Sequence, residues 1–253
     1  MSNSPLVSYT KLSPNHSGQR TRKIDRITPH CVVGQCSVER LGDIFLPASR
    51  EASCNYGIGA DGRVGMYVEE KNRSWCSSSN ANDQRAVTIE CASDGAEPYA
   101  FRDVVYQSLI TLCVDICKRN GKTKLLWLED KDKTLAYTPA PDEMVLTVHR
   151  WFANKSCPGN WMYARMGDLA EKVTAQLSAG TDEEDDDMDI NKFKELWREM
   201  RKELQDNDAS AYSEEARKWA VDNGIIRGGN SDEFNGMWED MMTREQLVTV
   251  LYR

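Results

Sequence analysis

The segment Ser178 to Asp189, SAGTDEEDDDMD, limits what this chain can fold into more than any other stretch. Small residues run into an acidic block that offers almost nothing to bury, and such a segment stays solvated. It separates two folding problems. A larger domain is expected at residues 1–177, an acidic linker at 178–189 and a small domain at 190–253. The lengths suit one medium domain with a small companion.

Charge divides at the same place. Residues 1–177 carry 22 Lys and Arg against 20 Asp and Glu, whereas residues 178–253 carry 10 against 20. The acidic surplus of the tail would repel phosphates, so no nucleic-acid partner is expected there. No apolar run is long enough to span a bilayer, so no membrane partner is expected either. Met1 to Lys23 lacks the apolar stretch of a signal peptide, which implies synthesis in the cytoplasm. The eight cysteines, at 31, 36, 54, 76, 91, 113, 117 and 157, include no Cys-x-x-Cys pair. Free thiols are expected rather than a structural zinc knuckle.

Periodicity outlines the larger domain. Ile27 to Val33, Ala86 to Ala92, Lys124 to Leu128 and Leu146 to His149 read as strands. Tyr56 to Ile58 and Arg63 to Val68 flank Asp61-Gly62, a hairpin turn signal. Phe101 to Asn120 reads as a helix, with Phe101, Val105, Leu109, Leu112 and Ile116 on one face and Gly121 as its stop. Trp161 to Leu177 reads as a closing helix. This order implies one sheet covered by helices. In the tail, Asp189 to Leu204, Ser213 to Asn223 and Thr243 to Tyr252 read as helices, giving a small all-helical C-terminal domain.

The chain has only three histidines, and two of them, His30 and His149, sit in apolar strand-like runs. A lone histidine there is usually a satisfied core residue. Here His149, Lys155, Cys157, Pro158 and Gly159 fall within eleven residues, with His30 upstream in ITPH. Two imidazoles and a thiol with a fourth position open form the donor set of a catalytic zinc. His16, in PNHSGQR, reads as a solvated loop residue.

The pieces ITPH, NYGIGADGRV, RSWCSSS, ND-x-RAVTIE and TVHRWFANKSCPG, taken together, resemble the zinc-dependent N-acetylmuramoyl-L-alanine amidases of type 2. That family includes phage lysozyme-like amidases and peptidoglycan recognition proteins. The resemblance covers roughly residues 20–177. It implies an α/β fold with a single mixed central sheet, Zn2+ held by His30, His149 and Cys157, and bacterial peptidoglycan as substrate. The bond cut would join the lactyl group of muramic acid to L-alanine. Lys155 would stabilise the negative oxygen of the tetrahedral intermediate. Glu90 matches a glutamate of relatives acting on wall fragments, and on a strand it points away from the core-facing Val87 and Ile89. It is the expected general base. Asn55 and Trp75 are the expected substrate-binding residues.

The match has departures. A tyrosine that assists catalysis in many relatives is replaced by Cys54, and Tyr56 is expected to be a core aromatic instead. Cys31 and Cys76 stand where many relatives have histidine. Cys54 and Cys76 are expected near the pocket. The segment Tyr212 to Arg253 is similar to one S-layer homology repeat, through Trp219-Ala220, Gly224-Ile225-Ile226 and Thr243-Arg244-Glu245. Such repeats imply a secondary wall polymer as partner, or self-association into a homo-oligomer. The modular layout suits a phage or prophage endolysin that acts on the cell wall after release. A non-catalytic peptidoglycan-binding module is the alternative.

Overall fold

The computed structural model describes residues 2–182, 190–203, 209 and 211–226. The chain divides into two compact units, Met1–Glu184 and Asp185–Arg253.

The first unit is built on a mixed seven-stranded sheet. In chain order its elements are β1 (Val7–Thr10), β2 (His16–Gln19), β3 (Arg26–Cys31), α1 (Val38–Phe45), β4 (Tyr56–Ile58), β5 (Val64–Met66), β6 (Asn72–Ser74) and α2 (Asn80–Asp83). They continue with β7 (Ala86–Cys91), α3 (Asp103–Arg119), β8 (Lys124–Leu126), α4 (Lys131–Ala136), β9 (Glu143–Leu146), α5 (Asn160–Tyr163) and α6 (Met166–Asp182). The strand order is β1-β5-β4-β7-β3-β9-β8, and among the described residues β4 and β5 are the one antiparallel pair within this sheet. β2 and β6 form a separate two-stranded ribbon. His16 therefore lies in a strand rather than a loop, and its Nδ1 accepts a hydrogen bond from the Gly18 amide.

The two faces of the sheet have different chemistry, and the pleat explains why. Ile27 of β3, Ile58 of β4, and Val87 and Ile89 of β7 enter one core with Leu109, Leu112 and Ile116 of α3 and Leu169 and Val173 of α6. The alternate residues Thr28, His30, Thr88 and Glu90 point the other way. That opposite face is covered by α1, whose Leu41 and Phe45 cluster with Cys54 and Tyr67. Ser37 caps α1 by accepting from the Arg40 amide, and Ser79 caps α2 in the same way through the Asn82 amide. The expected hairpin joins β4 to β5. Gly62 turns it with φ +84°, and an added Cβ there would lie 2.6 Å from Val104 of α3. Only glycine meets both demands.

Several boundaries differ from the sequence reading. β9 ends at Leu146, and His149 opens a 3-10 turn, His149–Trp151, whose carbonyl accepts from the Phe152 and Ala153 amides. The ladder with β3 stops at Ile27 and Leu146, so nothing holds His149 extended. The closing helix is broken into α5 and α6. α6 runs to Asp182, five residues into the expected linker, because nothing in Ser178-Ala179-Gly180-Thr181-Asp182 is a proline that would stop it. Helices α1, α2 and α4 and strands β1, β2 and β6 were not anticipated, although Val38, Leu41 and Phe45 of α1 do recur at helical spacing.

In the second unit, Ile190–Glu203 forms α7 and Glu214–Asp222 forms α8, with Gly224 at φ +67° behind it. Phe193, Leu196, Trp197 and Met200 make an exposed apolar stripe on α7. Thr243 to Tyr252, and most of the segment similar to an S-layer repeat, lie outside the described residues.

Candidate active site

The site lies where β3 and β7 end, on the polar face of the sheet. The two strands pair in parallel with His30 opposite Glu90. Cys157 comes from the loop before α5, where Gly159 adopts φ +84° against the Pro98 carbonyl. His149 comes from the 3-10 turn after β9. Ligand atoms of His30, His149 and Cys157 all lie within 4.8 Å of one another. The two imidazole rings are 5.0 Å apart between centroids. Cys157 Sγ is 3.2 Å from His30 Nδ1. Donors at zinc bond lengths of about 2.0–2.3 Å around a tetrahedron would stand roughly 3.5 Å apart, so the spacing fits such an ion.

The electrostatics also fit. Burial, reinforced by His149, pushes the His30 imidazole well below its usual range. Burial, then Lys155, lowers His149. Both rings therefore stay neutral and keep lone pairs for a metal. Ser78 Oγ lies 3.1 Å from His149 Nε2, the kind of support that fixes a ligating imidazole's tautomer. Burial holds the Cys157 thiol well above its usual range, which only a nearby cation would reverse. Soft and borderline donors of this composition suit zinc and exclude magnesium or calcium.

Glu90 stands beside this group. Its Oε1 is 4.0 Å from His30 Nδ1 and 3.8 Å from Cys76 Sγ, which donates to it. Its Oε2 is buried and has no hydrogen-bond partner among the described residues. Burial pushes the carboxyl up to about 7, against the pull of Cys76 and Arg50. Such a group can take a proton near neutrality. Glu90, Trp75, Cys76, His149, Lys155 and Cys157 all line one cleft of about 610 Å³. Trp75 is fixed in its wall by an Nε1 bond of 2.7 Å to Ser17 Oγ.

Asn55 corrects the sequence reading. It is fully buried and absent from the cleft wall. Its Oδ1 accepts from Arg20 Nη2 at 2.8 Å and from the Thr88 amide at 3.2 Å, while its Nδ2 donates to the carbonyls of Val68, Glu69 and Asn72. Every polar atom is consumed in tying β4 to its neighbours, so none remains for substrate. Tyr56 is buried, with its hydroxyl donating to Glu70 at 2.7 Å. Cys76 lines the cleft, whereas Cys54 is sealed beneath it.

Ser78 and the pair Asn82-Asp83 were missed as site residues. Asp83 accepts from the amides of Cys76 and Ser77 and from Ser77 Oγ, which shapes the loop carrying Cys76 and Ser78. The ND of ND-x-RAVTIE marked them, but only the three-dimensional loop assigns the role.

Residues 17–160, more than half of the chain, match the model of the N-acetylmuramoyl-L-alanine amidase family. The chain belongs to this family. The matched segment contains His30, Glu90, His149, Lys155 and Cys157, and membership makes the protein a peptidoglycan hydrolase of the amidase class. Among solved structures, the chain is similar to PlyL at 14% identity and TM-score 0.46, covering 65% of this chain and 95% of that one. It is similar to an AmpD derivative at 18% identity and TM-score 0.45, covering 64% and 93%. It is also similar to the endolysin LysCS from Clostridium intestinale at 15% identity and TM-score 0.40, covering 68% and 97%. None of the curated proteins matches the chain.

Proposed function

We propose that this amidase is zinc-dependent and cuts the bond between N-acetylmuramic acid and L-alanine, in the setting of a phage or prophage endolysin. The observation that carries the reading is the convergence of His30, His149 and Cys157 within 4.8 Å, in a cleft that also presents Glu90 and Lys155. Zinc bound by those three residues would activate water and polarise the scissile carbonyl.

The protein groups then divide the remaining work. Glu90 accepts the proton of the attacking water and returns it to the departing amine of L-alanine. Its place beside His30 is set by the strand ladder, so it needs no rearrangement. The Lys155 ammonium faces the oxygen that becomes negative as the carbonyl is attacked. Trp75 offers an apolar wall to the glycan or the stem peptide. For the second unit the sequence likeness to an S-layer repeat is the ground for proposing wall attachment through a secondary wall polymer, and the exposed apolar stripe of α7 suits self-association.

The test is digestion of purified cell walls by zinc-loaded protein. New L-alanine amino termini should appear while glycan reducing ends stay constant, and a chelator should abolish the release. Intact stem peptides in the presence of zinc would leave only a peptidoglycan-binding module.

A further inference from the structure

The polar face of β3 has two ends. His30 stands at one, and Arg26, four residues earlier on the same face, stands roughly 13 Å away along the strand. Between them the Thr28 hydroxyl is occupied by Thr147 at 2.7 Å and by Asn82 at 3.1 Å.

Arg26 is a buried cation whose balancing carboxylate, Asp25, is bonded to Arg85 instead. It is 5% exposed. Its guanidinium makes one side-chain hydrogen bond, from Nη1 to Asn82 Oδ1 at 3.2 Å. Asp25, the nearest acid, is taken by Arg85 through two bonds of 2.8 and 2.6 Å. Among the described residues no carboxylate forms an ion pair with Arg26. Burial, with Arg85 adding to it, lowers the guanidinium to about 10, against the pull of the Asp25 carboxylate, which lines the same cavity as Arg26. A guanidinium carries five N–H donors, and those of Arg26 that make no protein bond are not among the buried polar atoms without a partner, so they keep access to solvent.

The unmatched donors open on a cavity of about 830 Å³ that Arg26 helps to line. Arg22 and Lys23 are exposed at its mouth. Leu135 and Phe152 supply an apolar side. Ser79 and Asn80 line both this cavity and the catalytic cleft, so α2 is a partition between them.

We propose that this second cavity is an oxyanion-binding site, with a phosphate or carboxylate group against Arg26 and Leu135 and Phe152 against the apolar part of its carrier. The planar fork of Arg26 suits either group, and the two flanking cations add attraction at the entrance. The anion is either a free small molecule or a group borne on the wall polymer. The site shares no ligand with the metal centre, so it stands whether or not zinc chemistry is confirmed.

Inorganic phosphate is the probe, titrated into the full chain at constant ionic strength and followed by NMR at the Arg26 Nε–H and the Phe152 amide. Saturable shifts at both are expected. Arg26→Gln, followed at the Phe152 amide, should weaken the response by at least about tenfold, the loss of a charge-assisted bond. The double variant of exposed residues, Arg22→Gln with Lys23→Gln, should weaken it severalfold, and it serves if Arg26→Gln does not fold. Shifts that never saturate, or that persist unchanged in the variants, overturn the proposal. Phosphate that also releases the protein from sedimenting walls places the anion on the polymer. Binding that leaves sedimentation unchanged makes it a free small anion.

Discussion

His30 and Glu90 are partners in the parallel pairing of β3 and β7, with Nδ1 and Oε1 4.0 Å apart. The proposed metal ligand and the proposed general base are thus placed by a backbone ladder rather than by a loop. Neither backbone can shift without breaking sheet hydrogen bonds, which gives the proposed acid–base group a fixed base from which to act.

Glu90→Gln preserves shape and removes the basic oxygen. Zinc content should stay stoichiometric while kcat falls about 100- to 10,000-fold, the usual worth of a positioned base. Metal analysis beside wall-digestion kinetics checks this. A rate within a few fold of the parent would remove Glu90 from proton transfer.

Ser78→Ala deletes the hydroxyl 3.1 Å from His149 Nε2. Zinc affinity should weaken by about tenfold to 100-fold, the range for losing an outer partner of a ligating histidine. Competition with a chromogenic chelator measures it, and unchanged affinity would make Ser78 a bystander.

Asn55→Ala strips buried partners from Arg20 and Thr88. Stability should drop by about 1–3 kcal/mol, since a buried donor is left unmatched. The KM for soluble muropeptides should hold. A raised KM at unchanged stability would restore Asn55 to substrate binding.

The Arg63 guanidinium, bonded to both carboxylate oxygens of Glu39, holds that carboxyl at about 2. A carboxyl depressed by folding stabilises the protein above its ordinary titration range near 4.5, and the benefit disappears as pH falls toward 2. Both side chains are exposed, so the effect is modest. Urea midpoints of parent and Glu39→Gln should differ at pH 6 and converge only as pH falls through about 2. Parallel curves throughout that range would show that the pair contributes nothing.

Removing residues 185–253 tests the second unit. Wall sedimentation or the mass seen by light scattering should fall, while release of L-alanine termini from soluble fragments continues. If both properties survive the truncation, the unit has neither role.

The larger unit was readable because its chemistry is repeated in local patterns. β3, β7 and α3 announced themselves by runs of β-branched residues or by helical spacing of Val105, Leu109, Leu112 and Ile116. His30, His149 and Cys157 were legible as a set from their residue types and spacing in the chain. What could not be read was cross-chain geometry. Asn55 sits in a motif next to a strand, and sequence cannot say whether its amide turns to the cleft or to Arg20. Ser78 and Asp83 act only through a loop whose shape depends on partners from α2 and β3. His149 looked like a strand residue because its apolar neighbours continue past the point where pairing with β3 stops.

Cys157 and His30 are 127 positions apart in sequence, yet their ligand atoms touch. An ion joining them would act as a clasp, closing most of the larger unit into a loop that the unfolded chain must forgo. Metal loading should therefore harden the protein against proteolysis as well as arm it, with the first nicks in stripped samples falling between His149 and Gly159.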